Sequence, residues 1–512
     1  MLDVFARRGT NEHMTILWQA VRKRRAPGET HGLAVHGFLR GLGLIYLLAF
    51  WSLAAQAGGL FGVGGLSPIA ETVAGMRDAS RLGSLWALGW FALSSNMAMV
   101  WSVLLLGVGG GLLLLAGLFP WVGGVLAWSA WVSLRSVAGE WMGFQGDALL
   151  AEVGFVALWM AAPHWRRLPD PGEMPDRLLG LLMCHVLLVK VVLSSALVKL
   201  AGGDPFWARE TALHVFFETQ ALPTAPAWGF HQFPGVLLRH AAVGVVLLET
   251  ILPIYVFFPR TYRQLAAGGL SLLMLLLMFT GNHGHYPWLV LLLSFTLVDD
   301  RAWRSWLPEK LGFSAKELSG QPKSPTVGGW VVLCGWSFLC MGGIFWRAPE
   351  AFPVPIRPVV EVLDQVSLAQ TYGMGGALRP HRFEIEVQGS VDGQQWREYL
   401  FRFKPGHPQR LPWIAGLHFP RLDFRVAELG WEAGRPDAFI SDPWLANLAG
   451  GLMRNDPNVV RLFEVNPFAD HPPAYIRFVV YEVRYADPVT RRDRGVWWVR
   501  AVRGLHGPVF RR

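Results

Sequence analysis

A chain of 512 residues that is 52% hydrophobic has room for a helical bundle and one globular domain. Its formal net charge of +9 is not gathered on one polar face but lies in clusters between long apolar runs, which argues against a nucleic-acid partner and for a membrane protein with basic cytoplasmic loops. All three cysteines, Cys184, Cys334 and Cys340, fall in apolar runs, so the polar remainder has no disulfide framework, and no Cys/His metal spacing occurs.

In chain order, a basic N-terminal segment (residues 1–34, with Arg7, Arg8 and Arg22 to Arg25) lacks the short apolar core and cleavage site of a signal peptide, so the first span is expected to be an uncleaved anchor. The membrane domain, residues 35–347, reads as a polytopic α-helical bundle of about nine spans, most near the ~20 residues a bilayer requires. They lie at 35–57, 94–117, 119–138, 147–163, 178–201, 236–258, 264–281, 285–299 and 328–347. The third and fourth are also readable as a re-entrant pair, and the eighth is short. With the N-terminus cytoplasmic, Arg166-Arg167, Arg260 with Arg263, and Arg301 through Lys323 all fall on the inner side. The ninth span then delivers residues 348–512 to the outside. Between the fifth and sixth spans, Phe206 to His214 reads as a helix lying in the interface, broken by Pro223 and Pro226.

Ionisable side chains within spans are costly and mark functional sites by default. The candidates are Asp147 and Glu152 in the fourth span, Lys190 and Lys199 in the fifth, and Glu249 in the sixth. The two lysines lie nine residues apart, on opposite helix faces, and should not share one carboxylate. One reading makes these charges structural glue; a second makes them a polar cavity in which a desolvated lysine acts as a base, and a third a transport pathway.

The outer domain, 348–512, reads as antiparallel β with a helical insertion. His381–Ser390 alternates apolar and polar residues, Asp392-Gly393 supplies a turn, and Trp396–Phe403 alternates again. Tyr475–Tyr485 and Gly495–Val502 read as further strands, with helical stretches near Trp444–Met453 and Asn458–Phe463. Arg421, Asp423, Trp444, Trp497, Trp498 and Arg500 are the candidates for binding a protein partner, since arginine and tryptophan dominate such surfaces. The tryptophans also suit a small core.

Several motifs together resemble the lipase maturation factor family. They include Phe383-Glu384-Ile385-Glu386-Val387, Phe403-Lys404-Pro405-Gly406, Pro420-Arg421-Leu422-Asp423, Asn466-Pro467-Phe468 and Gly495-x-Trp497-Trp498-x-Arg500. In the membrane half they are Asp147-x-Leu149-Leu150-x-Glu152, Lys199 followed by Gly203-Asp204-Pro205-x-Trp207, Glu218-Thr219-Gln220-x-Leu222-Pro223-Thr224 and Thr280-Gly281-Asn282. Lys190 stands where the family pattern would lead one to expect arginine. The resemblance implies a polytopic membrane protein whose eukaryotic members sit in the endoplasmic reticulum and assist folding and assembly of secreted lipases through a lumenal C-terminal domain. A bacterial-type member would sit in the inner membrane with that domain in the periplasm. The implied partners are membrane lipids and exported clients such as lipases. No cofactor is expected, with a lipid or quinone ligand left open. The membrane half also distantly resembles vitamin K-dependent carboxylase-type multispan domains, in which a lysine at the extracytoplasmic edge is the base. That likeness keeps a second expectation in play, a membrane enzyme with Lys199 as base.

Overall fold

The computed structural model describes residues 29–78, 89–161, 167–168, 177–306, 326–345, 352–410, 413–431, 433 and 442–512. Most of the basic N-terminal segment, Arg166, the part of the basic run from residue 307 to Lys323 and the expected boundary between residues 347 and 348 lie outside them.

The bundle comprises α1 (Gly32–Phe61), α2 (Met97–Ala116), α3 (Pro120–Val137), α4 (Gln145–Ala161), α5 (Leu178–Ala201), α6 (Gly235–Tyr255), α7 (Arg260–Thr280), α8 (Tyr286–Phe295) and α9 (Val327–Phe345). Six of these, α1, α2, α5, α6, α7 and α9, are long and apolar enough to cross a membrane. The expected third, fourth and eighth spans correspond to α3, α4 and α8, which fall short in length or apolarity, so among the described residues six of the nine expected spans meet the length and composition of a membrane crossing.

Local chemistry sets the helix ends. Asp300 caps α1 from far along the chain, accepting from the Gly32 and Leu33 N–H groups at 2.8 Å each and from Thr30 Oγ1 at 2.7 Å. Asn96 caps α2 through Met99 N, and Gly117 in the left-handed region ends it, with Pro120 opening α3. Glycines let the first three helices approach closely. A Cβ at Gly43 would lie 2.5 Å from Leu115 N, and one at Gly110 2.5 Å from Ala127 N.

Successive helices alternate in direction. The turn at 117–119 bridges Arg167, and Arg260 pairs with Asp299 at 2.7 Å beside the Asp300 cap, so these features share one end of the bundle. The segments 62–78, 138–144, 202–234 and 281–285 share the other end, where the C-terminal region sits.

That region holds α10 (Arg357–Gln365), α11 (Arg421–Gly430), α12 (Trp444–Met453) and an antiparallel sheet. The strands are β1 (Arg382–Ser390), β2 (Arg397–Tyr399), β3 (Tyr475–Tyr485), β4 (Trp498–Leu505) and β5 (Phe510–Arg511). The sheet order is β2-β1-β3-β4, with β5 pairing β3, and the long β1/β3 ladder sets Ile385 opposite Val480. The alternation in β1 implied one solvated face, yet Glu384, Glu386 and Gln388 are buried. Arg382 and Lys404 neutralise Glu384, Arg500 meets Glu386, and Arg477 bonds Gln388. The polar face is thus an internal charge network. The interfacial helix expected over Phe206–His214 is instead two short helices, Pro205–Ala208 and Ala212–Thr219, separated where Glu210 takes a φ of 60°.

Candidate functional site

The five ionisable residues read within spans resolve into three separate pairs, each tied to the C-terminal region. On α4, Asp147 is fully buried and accepts two bonds from Arg421 of α11, at 2.8 and 2.9 Å. This parallel, two-toothed geometry is the strong form of a carboxylate–guanidinium contact. Arg421 also donates to the Trp141 carbonyl, and His285 lies 3.3 Å from the same carboxylate. One turn and a half further along α4, Glu152 meets Lys190 of α5 at 2.6 Å, both side chains fully buried. Glu152 also accepts from Tyr372 Oη at 2.9 Å and from Gln370 N at 3.1 Å. Burial, with Glu152 beside it, pushes the Tyr372 hydroxyl well above its ordinary range, which keeps it a donor.

The third pair joins α5 to α6. Lys199 Nζ lies 2.7 and 2.9 Å from the Glu249 oxygens and 2.6 Å from Ser195 Oγ. Trp207 covers the ammonium, with its ring centre 5.3 Å away, and its indole N–H is fixed by the Gly375 carbonyl at 2.9 Å. This pair borders a cavity of about 480 Å³, which also takes in Met374 and Gly375. The two lysines use different carboxylates, as their separation on α5 requires.

Around these pairs the contacts continue. Ser52 and Gln56 of α1 bond Phe419 and Arg421, and Ser52 Oγ lies 2.9 Å from His418 Nδ1. Arg382 donates to the carbonyls of Glu218, Gln220 and Ala221, while Asn282 accepts from Ala415 N at 2.6 Å. Asp204 accepts from Leu378 N at 2.7 Å, and Glu218 from Tyr485 N at 2.8 Å. The C-terminal region is clamped on the bundle end rather than tethered to it.

This placement revises the expected partner surface. Arg421, Asp423, Trp444 and Trp498 are all buried. Trp444 packs edge-on against Trp141 at 5.3 Å, and Trp498 stacks on Tyr485 at 4.4 Å. Asp423 accepts from the Phe403 and Lys404 N–H groups at 2.6 and 2.9 Å; burial pushes its carboxyl up and those bonds pull it back. These four side chains hold the fold and the junction together. Trp497 and Arg500 remain half-exposed, Trp497 lying 5.6 Å from Trp228 with Arg491 stacked 3.6 Å over its ring. Tyr372, Gln370, Ser195, His285 and Arg382 were not singled out in the sequence. One signal did exist: three carboxylates within spans against two lysines leave one carboxylate in need of an outside cation. Among the described residues, no group of three or more His, Cys, Asp or Glu is placed to hold a metal ion.

Residues 33–305 match the family model described as the lipase maturation factor transmembrane domain, and residues 368–508 match the lipase maturation factor C-terminal domain. The chain belongs to the lipase maturation factor family. It is similar to lipase maturation factor 2 of Rattus norvegicus, at 27% identity over 90% of this chain and 81% of the relative. It is likewise similar to lipase maturation factor 1 of Bos taurus, at 26% identity over 93% of this chain and 88% of the relative. No solved structure matches. Asp147, Glu152, Asp204, Glu218, Asn282 and Arg421, all within motifs that carry the family resemblance, lie at the junction between the two matched halves.

Proposed function

We propose that the protein is a membrane-anchored maturation factor for exported proteins such as lipases, acting through its C-terminal region on the extracytoplasmic side. The observation that carries this reading is the clamp itself. The C-terminal region is held on one end of the bundle by the buried Arg421–Asp147 pair and by the hydrogen bonds of Tyr372 and Gln370 to the buried Glu152, while Arg260, Arg263, Arg301 and Arg304 belong to the other. The positive-inside rule then favours a cytoplasmic basic end and an extracytoplasmic C-terminal region. In a bacterial cell that side is the periplasm. The half-exposed cluster of Trp497, Trp228 and Arg491, with Arg500 on the adjoining strand, supplies the aromatic and arginine anchors that client contact requires. Coexpressing an exported lipase with the wild type or with Trp497→Ala tests this. Lower lipase activity per molecule at unchanged abundance of the Trp497→Ala protein supports the reading; unaltered lipase activity refutes the assigned patch.

A second reading rests on one observation, the cavity that adjoins Lys199 and Glu249. It makes the protein a membrane enzyme that modifies an exported protein or a lipid, with Lys199 as base once Glu249 or a ligand has freed it. This reading requires Lys199→Ala to abolish function at normal abundance and client proteins to differ in intact mass when the protein is missing.

A further inference from the structure

The cavity beside Lys199 is amphipathic, and its polar end specifies what it can hold. Its volume of about 480 Å³ falls within the span of small-molecule sites. The walls are apolar side chains of α5 to α8 and of the short helices Ala212–Thr219 and Ala225–His231, among them Phe217, Phe230, Leu273, Met274 and Val290. Leu237, Leu248 and Leu276 belong both to this wall and to the exposed surface of α6 and α7, so the cavity communicates with the space that lipid chains fill.

At the polar end, the three protons of Lys199 go to the two Glu249 oxygens and to Ser195 Oγ, and the Trp207 indole N–H goes to Gly375. The ammonium and indole donors are used up, and the ion pair is neutral. What Glu249 keeps is lone pairs, on a carboxylate that still has some exposure. An anionic head would bring a second negative charge beside a carboxylate whose counter-ion is already engaged, and a cationic head would compete with Lys199. An uncharged head that donates a hydrogen bond meets neither obstacle.

We infer that this cavity binds a single-chain neutral lipid, its hydroxyl head donating to Glu249 and its chain lying between α6 and α7. Monoacylglycerols and long-chain alcohols share this chemistry. The site is independent of whether Lys199 performs any reaction, and goes beyond the maturation role.

The test uses the purified full chain in detergent micelles. It is irradiated with a monoacylglycerol carrying a photoreactive diazirine in its acyl chain, and separately with the matching diazirine fatty acid as the anionic comparator. The inference expects strong labelling by the neutral probe, mapped to peptides of α6, α7 and Ala212–Thr219, and weak labelling by the fatty acid. Competition by an unlabelled long-chain alcohol as well as by monoacylglycerol assigns recognition to the hydroxyl; competition by monoacylglycerol alone assigns it to the glycerol head. Gly244 lines the cavity, and a Cβ there meets no atom within 4 Å, so Gly244→Leu starts its side chain in open space beside the cavity and narrows it. That variant should lower neutral-probe labelling to the fatty-acid level at unchanged melting temperature, and Val245→Phe serves as a second filling variant. Equal labelling by both probes, or undiminished labelling in two folded filling variants, overturns the inference.

Discussion

Replacing Arg421 with alanine should loosen the C-terminal region from the bundle. Arg421 is only 1% exposed, and its guanidinium spans Asp147 and the Trp141 carbonyl. The alanine variant leaves the Asp147 carboxylate in the interior with His285 at 3.3 Å as its nearest remaining ionisable partner. Removing one partner of a buried pair costs about 3–5 kcal/mol, much of it the penalty of stranding the other charge. The double variant Asp147→Asn with Arg421→Met carries no stranded charge and should recover most of that loss, because neutral replacement of buried pairs is often tolerated. Thermal unfolding in detergent, followed by tryptophan fluorescence together with the rate at which protease releases the C-terminal region, reads both effects. The two residues touch, so their effects must be non-additive. An Arg421→Ala protein that melts and resists protease like the wild type, or a double variant as damaged as the sum of its singles, would refute the clamp.

Other outcomes follow from the same geometry. Trp444→Ala removes a buried ring packed on Trp141 and should cost about 3–5 kcal/mol, lowering the abundance of folded protein, whereas Trp497→Ala should leave abundance unchanged; a quantitative immunoblot separates them. Burial, and then the neighbouring Glu386, pushes the Glu398 carboxyl from its ordinary 4.5 up to about 7. The folded state therefore holds that proton more tightly than the unfolded state, and stability falls as pH rises from about 4.5 to 7. Glu398→Gln should melt higher than wild type above that range and flatten the profile, by about 1–3 kcal/mol, in melts across pH. Burial, with Arg402 and Arg421 nearby, pushes the His418 imidazole from 6.5 down to about 4, so its contribution is complete above 6.5 and is lost as pH falls through about 4. His418→Asn should blunt that acid loss in the same melts. Gly110→Val drives a side chain into the α3 backbone, a Cβ lying 2.5 Å from Ala127 N, and should reduce the monodisperse fraction in size-exclusion chromatography.

What the sequence revealed followed from periodicity. Tyr475–Tyr485 is a strand over those same residues, and Trp444–Met453 is a helix over the same ten, because alternation and helical spacing are local properties. Arg421–Gly430 escaped notice as a helix, since its apolar residues are interrupted by Arg421, Asp423, Arg425 and Glu428 and its start is set by Pro420. The opposite-face argument for Lys190 and Lys199 survives because it concerns one helix. The partner of Asp147 lies 274 residues away, and no spacing rule reaches that far. The cavity depends on how α5, α6 and α7 are rotated against one another, which composition does not fix. The burial of Trp444 follows the core reading left open for the tryptophans, and Arg421 is buried with it: the residue types that anchor partner surfaces also anchor internal junctions.

On the proposed function, exported clients reach their active fold with this protein's help, without being chemically altered by it. The most direct test compares the exported proteins of a strain lacking the protein with those of the complemented strain, measuring abundance, activity per molecule and intact mass of each. The account predicts that lipases or related exported hydrolases lose abundance or specific activity in the deficient strain at unchanged mass. A defined mass difference on a client would contradict it in favour of the enzyme reading, and an exported proteome identical in all three measures would contradict both.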